Sequence, residues 1–249
     1  MNSLPIVLIL FSLAAVAKAA SGDGNSFSAS NDVTWTMLGT NENDSMPIGN
    51  GDLAANVWTE QNGDIVLLIA KSDTWSENGE LLKPGRIRLA LDPNPFTKSA
   101  SFTQTLKLET GHVELWAGDN SVRIWVDANH PVLHVQVQTA GPVRMKATTE
   151  IWRTNEYSLD PQAIDRTGLG FFEWGGYPDS LIFYPDTILP PKDNRVSSCH
   201  FDTHSIYPLV FEKEHLASLL PEYPDPLMHR CFGLTMKGDN LVKIGRAHV

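Results

Sequence analysis

Cysteine is nearly absent from this sequence: 249 residues carry two, Cys199 and Cys231. No CxxC pair exists, and a chain of this length buries roughly 70 % of its unfolded surface, enough for a full core without a disulfide framework. Basic charge is also scarce. Lys and Arg number 19 against 29 Asp and Glu, giving a net charge of −10, and no basic run breaks the pattern. Such a balance argues against nucleic acid and against anionic membrane surfaces as partners. Past the first twenty residues no apolar run approaches the ~20 needed to span a bilayer, so no membrane partner is expected. Neither a glycine-rich phosphate loop nor a G-x-S-x-G elbow occurs, and there is no internal repeat.

The two ends of the chain carry separate signals. Leu4 to Ala17 is an apolar run closed by Ala17-Lys18-Ala19-Ala20, which reads as a secretory signal peptide over residues 1–20 and implies a secreted, extracellular protein. Its n-region lacks Lys and Arg. In an oxidising compartment Cys199 and Cys231 have two options, a bridge whose loop-closure term is roughly 3–4 kcal/mol or two free buried thiols. Asn43-Asp44-Ser45 is the single glycosylation sequon, with Asn43 the acceptor in a eukaryotic secretory pathway. Ser21 to Asp32, rich in Ser, Gly, Asn and Asp, reads as a disordered lead-in. At the other end, Ile244 to Val249 spells one frame of a sequencing adapter, so residues 244–249 are expected to be an adapter-derived tail on a truncated transcript.

Between these ends, residues 33–243 are expected to form one domain. Short strands are predicted over Val33–Leu38, Leu53–Thr59, Asp64–Ala70 and Arg86–Leu91. A meander follows over Ser101–Leu108, His112–Ala117, Val122–Asp127, Val132–Thr139 and Val143–Trp152. Alternation is clean in Val132 to Gln138, where one face is aliphatic and the other mostly polar, the pattern of antiparallel sheet with one buried side. Residues 154–191 show no periodicity. Strands resume at Ser180–Tyr184, Val196–His200, Ile206–Phe211 and Cys231–Met236, and Glu212–Leu220 is predicted as the one helix. The fold class is therefore all-β: a large two-sheet antiparallel β-sandwich with one short helix.

The most informative stretch runs from Met46 to Leu91. Pro47 fixes φ while Gly49 and Gly51 reach φ > 0, so PIGNGD reads as a tight turn with Asn50 at its tip. After the strand DIVLLIA, a polar loop holds Asp73, Trp75, Glu77 and Asn78 before Pro84-Gly85. The runs MPIGNGDLAANVW and SDTWSENGELLKPGRIRLALDPNPF, with DPLMHRCFGLTMKG downstream, resemble the N-terminal β-sandwich of the family catalogued as domain of unknown function 5703. In its P-x-G-N-G turn and D-x-W loop, that family is similar to the N-terminal domains of glycoside hydrolase family 95 α-L-fucosidases. Cys199-His200-Phe201-Asp202 departs from the His-Arg-Asn type run expected there. The resemblance implies a non-catalytic sandwich that packs on a C-terminal (α/α)₆ barrel, and this catalytic domain of the full-length chain would be its partner. The barrel carries the catalytic acid and base, so no catalytic residue is assigned here. The alternative is a free-standing extracellular carbohydrate-binding module.

On either reading the ligand is carbohydrate, with Asn50, Asp52, Asp73, Trp75, Glu77 and Trp174 as candidates for the rim of the sugar site. Trp75 and Trp174 lie in loops, where stacking on a sugar and packing are equally open. Trp58, Trp116, Trp125 and Trp152 lie within strands and are expected in the core. Asp73 with Glu77, or Glu150 with Glu173, are the carboxylate pairs that glycoside hydrolysis would need. His200, Asp202 and His204 alternate, and on a strand would face one side as a metal site requires. Nothing adjacent supplies the further ligands, so neither metal nor cofactor is expected. His130 and His134 read as sheet-surface residues.

Overall fold

The computed structural model describes residues 31–97, 99, 101–159, 181–193 and 195–238, and the backbone of 245–248. Trp174, Glu173, the signal peptide and most of the lead-in lie outside the described residues. Its strands are β1 (Val33–Trp35), β2 (Met46–Gly49), β3 (Leu53–Thr59), β4 (Ile65–Lys71), β5 (Gly85–Asp92), β6 (Thr103–Lys107), β7 (His112–Ala117), β8 (Asn120–Val126) and β9 (Leu133–Gln138). There follow β10 (Arg144–Ile151), β11 (Tyr157–Leu159), β12 (Leu181–Phe183), β13 (Thr187–Ile188), β14 (Arg195–Phe201), β15 (Cys231–Lys237) and β16 (Gly245–His248).

Two large sheets form the sandwich. One has the order β1-β6-β7-β8-β9 and the other β16-β10-β5-β4-β3-β2. Every pairing within them is antiparallel except β10 with β16, which is parallel. Their facing sides share one core. Val57, Ile65, Leu67 and Leu89 from the six-stranded sheet and Val113, Leu115, Val122 and Ile124 from the five-stranded sheet are all nearly sealed from solvent. Full burial of each such side chain stabilises by roughly 1.5–3 kcal/mol. The all-β reading therefore holds, with two smaller sheets added: β11-β12 and β13-β14-β15. A small second core of Leu181, Phe183 and Ile206, with Leu209, Val210 and Leu227 against it, packs on β12.

Three local expectations are corrected. Met46–Gly49 is a strand, paired Met46↔Val57 through Gly49↔Ala54, so the turn is confined to Asn50–Asp52, with Gly51 at φ 93°. The predicted strand Ile206–Phe211 is instead helical: α1 spans Tyr207–Lys213, so the stretch expected to be helix, Glu212–Leu220, holds only the last two residues of α1 and a 3₁₀ turn at Ala217–Leu219. Pro208 in the first turn is the cause, because its fixed φ and missing N–H suit a helix start and leave a strand unpaired. The helix then stops at His215, whose φ of 60° is left-handed.

Strand register also overrules the tryptophan assignment. Trp58 is in the core at 2 % exposure, but Trp116 and Trp152 are about two-fifths exposed. On β7, Val113, Leu115 and Ala117 take the inward face, which leaves Trp116 on the outer one. Trp125 on β8 stacks outside the sandwich on His134 at 5.0 Å.

Candidate functional site

The rim begins with Asn50. Its Oδ1 accepts from the Asp52 and Leu53 amides at 2.9 and 2.8 Å, which closes the turn as an Asx-type cap. Its Nδ2 donates to the Asp127 and His130 carbonyls at 2.8 and 3.2 Å, across to the loop joining β8 and β9. Asn50 thus ties one sheet to the other, and its amide is engaged in structure.

The register Leu53↔Lys71 brings the end of β4 beside this turn. Ser72 donates its amide to the Asp52 carbonyl at 2.9 Å and its hydroxyl to Asp52 Oδ1 at 2.6 Å. Lys71 Nζ sits between Asp52 Oδ1 at 3.1 Å and Asp73 Oδ1 at 2.7 Å. The Ser72 hydroxyl and the Lys71 ammonium hold the Asp52 carboxyl below its ordinary pKa. The bends around Gly49 and Trp75 therefore meet at one end of the six-stranded sheet.

From Ser72 to Leu81 the loop is strongly self-bonded. Thr74 Oγ1 donates to the carbonyls of Lys71 and Leu82, Ser76 N donates to the Glu80 carbonyl, and the Ser76 hydroxyl accepts from the amides of Asn78 and Glu80. Thr74, Ser76, Glu77 and Asn78 are buried as a result, while Trp75 alternates outward at 40 % exposure. Arg230 Nη2 reaches over from the small sheet to the Asp73 carbonyl at 2.8 Å.

Beneath the loop lies a buried charged network. Glu77 Oε2 is 2.7 Å from His200 Nε2, and Glu77 Oε1 accepts from the Tyr184 amide at 3.0 Å. On the other side of the ring, His200 Nδ1 is 3.0 Å from Asp186 Oδ1. Arg153 grips Asp186 with Nε on Oδ1 at 3.0 Å and Nη2 on Oδ2 at 2.8 Å. Asp202 Oδ1 stands 3.5 Å from His200 Nε2. Burial works against the His200 cation, but the Asp186 and Glu77 carboxylates outweigh it and push the ring up to about 9. Burial likewise pushes the Asp202 carboxyl up to about 6, against the pull of the His200 ring. Glu77, His200 and Asp202 offer donor atoms that all lie within 4.8 Å of one another.

A family model described as a domain of unknown function (DUF5703) matches residues 34–248. The chain belongs to this family. Among curated proteins none matches it.

In this DUF5703 domain the rim candidates separate into two groups. Asp52, Asp73 and Trp75 are gathered at one edge, whereas Glu77 lies below them at 1 % exposure and faces the network. Asp73 and Glu77 do not face each other as a catalytic pair. Glu150 is not free for chemistry either: its two oxygens are held by Arg86 and Arg88, and Arg88 also binds Glu60 and Asp64. The alternation of His200, Asp202 and His204 holds for the first two, which meet at 3.5 Å, but β14 ends at Phe201 and His204 turns away to stack on Tyr184 at 4.5 Å. Sequence reading missed Asp186 and Arg153 altogether; the only local trace is one carboxylate and one cation among otherwise apolar or turn-forming residues.

Cys199 and Cys231 are both free thiols on neighbouring strands, with Cys199 opposite Gly233 and Cys231 opposite Phe201. Burial, with the neighbouring Cys231 sulfur, pushes the Cys199 thiol up to about 11. Iodoacetamide at pH 8 is expected to label the exposed Cys231 on the native chain and to reach Cys199 only after denaturation, because the thiolate is the nucleophile. Peptide mass spectrometry reads the site. Equal labelling of both thiols on the native chain would contradict this placement.

A second feature lies on the outer face of the five-stranded sheet. Glu114, Trp116, Ser121, Arg123, Gln136 and Gln138 line a shallow groove of about 180 Å³. Pairings Trp116↔Ser121↔Gln138 and Glu114↔Arg123↔Gln136 place them side by side. Among the described residues no helix is long and apolar enough to cross a membrane.

Proposed function

We propose that this chain is the non-catalytic β-sandwich of a secreted glycoside hydrolase-like protein, lending its Ile48–Asp52 and Ser72–Leu81 segments to the rim of a sugar site completed by a C-terminal catalytic domain. The observation that carries the reading is the Ser72–Asp52 pair of hydrogen bonds, which joins the two motif-bearing bends at one edge, with Trp75 of the second bend exposed. An exposed indole beside paired polar groups is the combination that stacks on a pyranose ring and orients its hydroxyls. The likeness of the P-x-G-N-G turn and D-x-W loop to those of family 95 α-L-fucosidases points the same way.

The carboxylates at this edge are those of a binding rim. A general acid for glycoside hydrolysis needs a raised pKa, whereas Lys71 lies between Asp52 and Asp73 and Asp52 is held low. The chain alone is expected to be folded and to leave aryl glycosides uncleaved. Turnover above the uncatalysed rate, measured with aryl α-L-fucosides and β-glucosides, would sink the reading.

The sheet-face groove around Trp116 favours a second reading, a free-standing carbohydrate-binding module. A glycan array separates the two. Binding abolished by Trp116→Ala and unchanged by Trp75→Ala selects the module, and the reverse pattern selects the rim.

A further inference from the structure

Asp202 is the anomaly of the buried network. Its side chain is wholly shielded from solvent at 0 % exposure, yet neither carboxylate oxygen has a hydrogen bond of ordinary geometry: the His200 ring stands 3.5 Å off and the Glu77 amide acts on it only weakly. A buried carboxylate without donors is costly, and natural interiors leave few such groups unexplained. Both oxygens belong to the residue whose donor atoms converge with those of Glu77 and His200.

We propose that Glu77, His200 and Asp202 form a binding site for a divalent transition-metal ion of the zinc or manganese class. One imidazole nitrogen with two carboxylates is a donor set such ions accept. The spacing is near what it needs, with the His200–Glu77 hydrogen bond giving way to the ion. Ligand atoms around a tetrahedral ion with bonds of about 2.0–2.1 Å lie roughly 3.3 Å apart, and His200 Nε2 is 2.7 Å from Glu77 Oε2 and 3.5 Å from Asp202 Oδ1. Small shifts of three side chains would admit the ion.

The surroundings are those of a ligated histidine. Coordination uses Nε2 in its deprotonated form and leaves Nδ1–H to donate to Asp186, 3.0 Å away. A carboxylate behind the imidazole fixes the tautomer and the ring plane at metal sites. Asp186 is itself fixed by the two-pronged grip of Arg153, whose Nη2 also donates to the Lys83 carbonyl at 2.9 Å. The charges agree as well. Three ionised carboxylates against the Arg153 cation leave two negative charges in excess once His200 is deprotonated for coordination; a divalent ion balances them, in place of the His200 cation that offsets one of them otherwise. Arg230 is a further cation close enough to act on Asp202.

The inference stands without the sugar reading, but it gives the rim a mechanical support. Glu77 comes from the loop after β4, while His200 and Asp202 come from the end of β14, so the ion would pin the Ser72–Leu81 loop to the small sheet.

The test is metal uptake by the whole chain, stripped with EDTA and then dialysed against micromolar zinc chloride or manganese chloride. One ion per chain is expected by plasma mass spectrometry. Asp202→Asn keeps the volume of the side chain and removes a buried charge, so it folds; its affinity is expected to fall by roughly tenfold or more. His204→Ala, on the same segment but turned away, is expected to bind like the parent. Zinc is also expected to slow amide exchange across residues 74–82 in the parent and to leave it unchanged in Asp202→Asn. Absence of stoichiometric uptake of either ion by the parent, or equal uptake by Asp202→Asn, overturns the site.

Discussion

Arg153→Leu is expected to lower stability by about 3–5 kcal/mol, the usual result of removing one partner from a buried ion pair. Arg153 is 4 % exposed and holds three acceptors: both oxygens of Asp186 and the Lys83 carbonyl. Leucine fills the space but donates nothing, so Asp186, itself nearly sealed, keeps only the His200 ring. The loss exceeds that of any surface pair in the molecule because water cannot replace the guanidinium there. For a domain of this size each kcal/mol moves the melting temperature by roughly 2–4 °C, so a fall of about 10 °C is expected by calorimetry. Arg153→Leu combined with Asp186→Leu is expected to recover part of the loss, since the orphaned charge leaves with its partner. A melting temperature within 2 °C of the parent for the single variant would show that the pair is not sealed from water.

Gly233→Ala has the second-largest expected effect, on the order of 3 kcal/mol. Gly233 pairs with Cys199 in the middle of the β14–β15 ladder. A Cβ at this position would overlap the Ser198 carbonyl oxygen and lie 2.8 Å from Cys199 Cα. These atoms are backbone and cannot turn aside as a side chain would. The strands must separate locally, and the displacement falls on the residue immediately before His200. Urea unfolding measures the loss, and amide exchange locates it, with the increase expected in residues 195–201. A stability within about 0.5 kcal/mol of the parent would mean that the ladder yields without cost.

The two predictions differ in how far the sequence foreshadowed them. An isolated glycine in a strand pattern marks a close backbone approach, so Gly233 was open to that reading in principle. Arg153 was not. It lies 33 positions from Asp186, and Glu77 lies 123 from His200. A pattern with period 2 records which face a residue takes within its own strand, and nothing in it records which distant strand comes to lie opposite.

The same division explains the tryptophans. Trp58 and Trp116 stand in equally convincing strands, yet one is sealed from solvent and the other lines an open groove. Both sides of these strands carry large residues, so composition could not choose the side. Packing beyond the strand chose it: Trp58 lies on the face of β3 opposite Val57 and is covered outside the core shared by the two sheets. Helix placement failed for a local reason: the leucines of Leu216, Leu219 and Leu220 made an apolar stripe, but Pro208 set the start of the helix upstream and His215 ended it before that stripe began.

The amino-acid order alone fixed the strands of the meander, a turn with Asn50 at its tip and the polar loop around Trp75, because alternation and turn chemistry act between neighbours along the chain. It also marked the chain as acidic and poor in cysteine. Tertiary structure alone decided that Glu77 turns inward while Trp75 stays out, and that Asp186 and Arg153 close behind His200. Those contacts join segments far apart in sequence, where burial and charge pairing operate through space and leave no periodic trace.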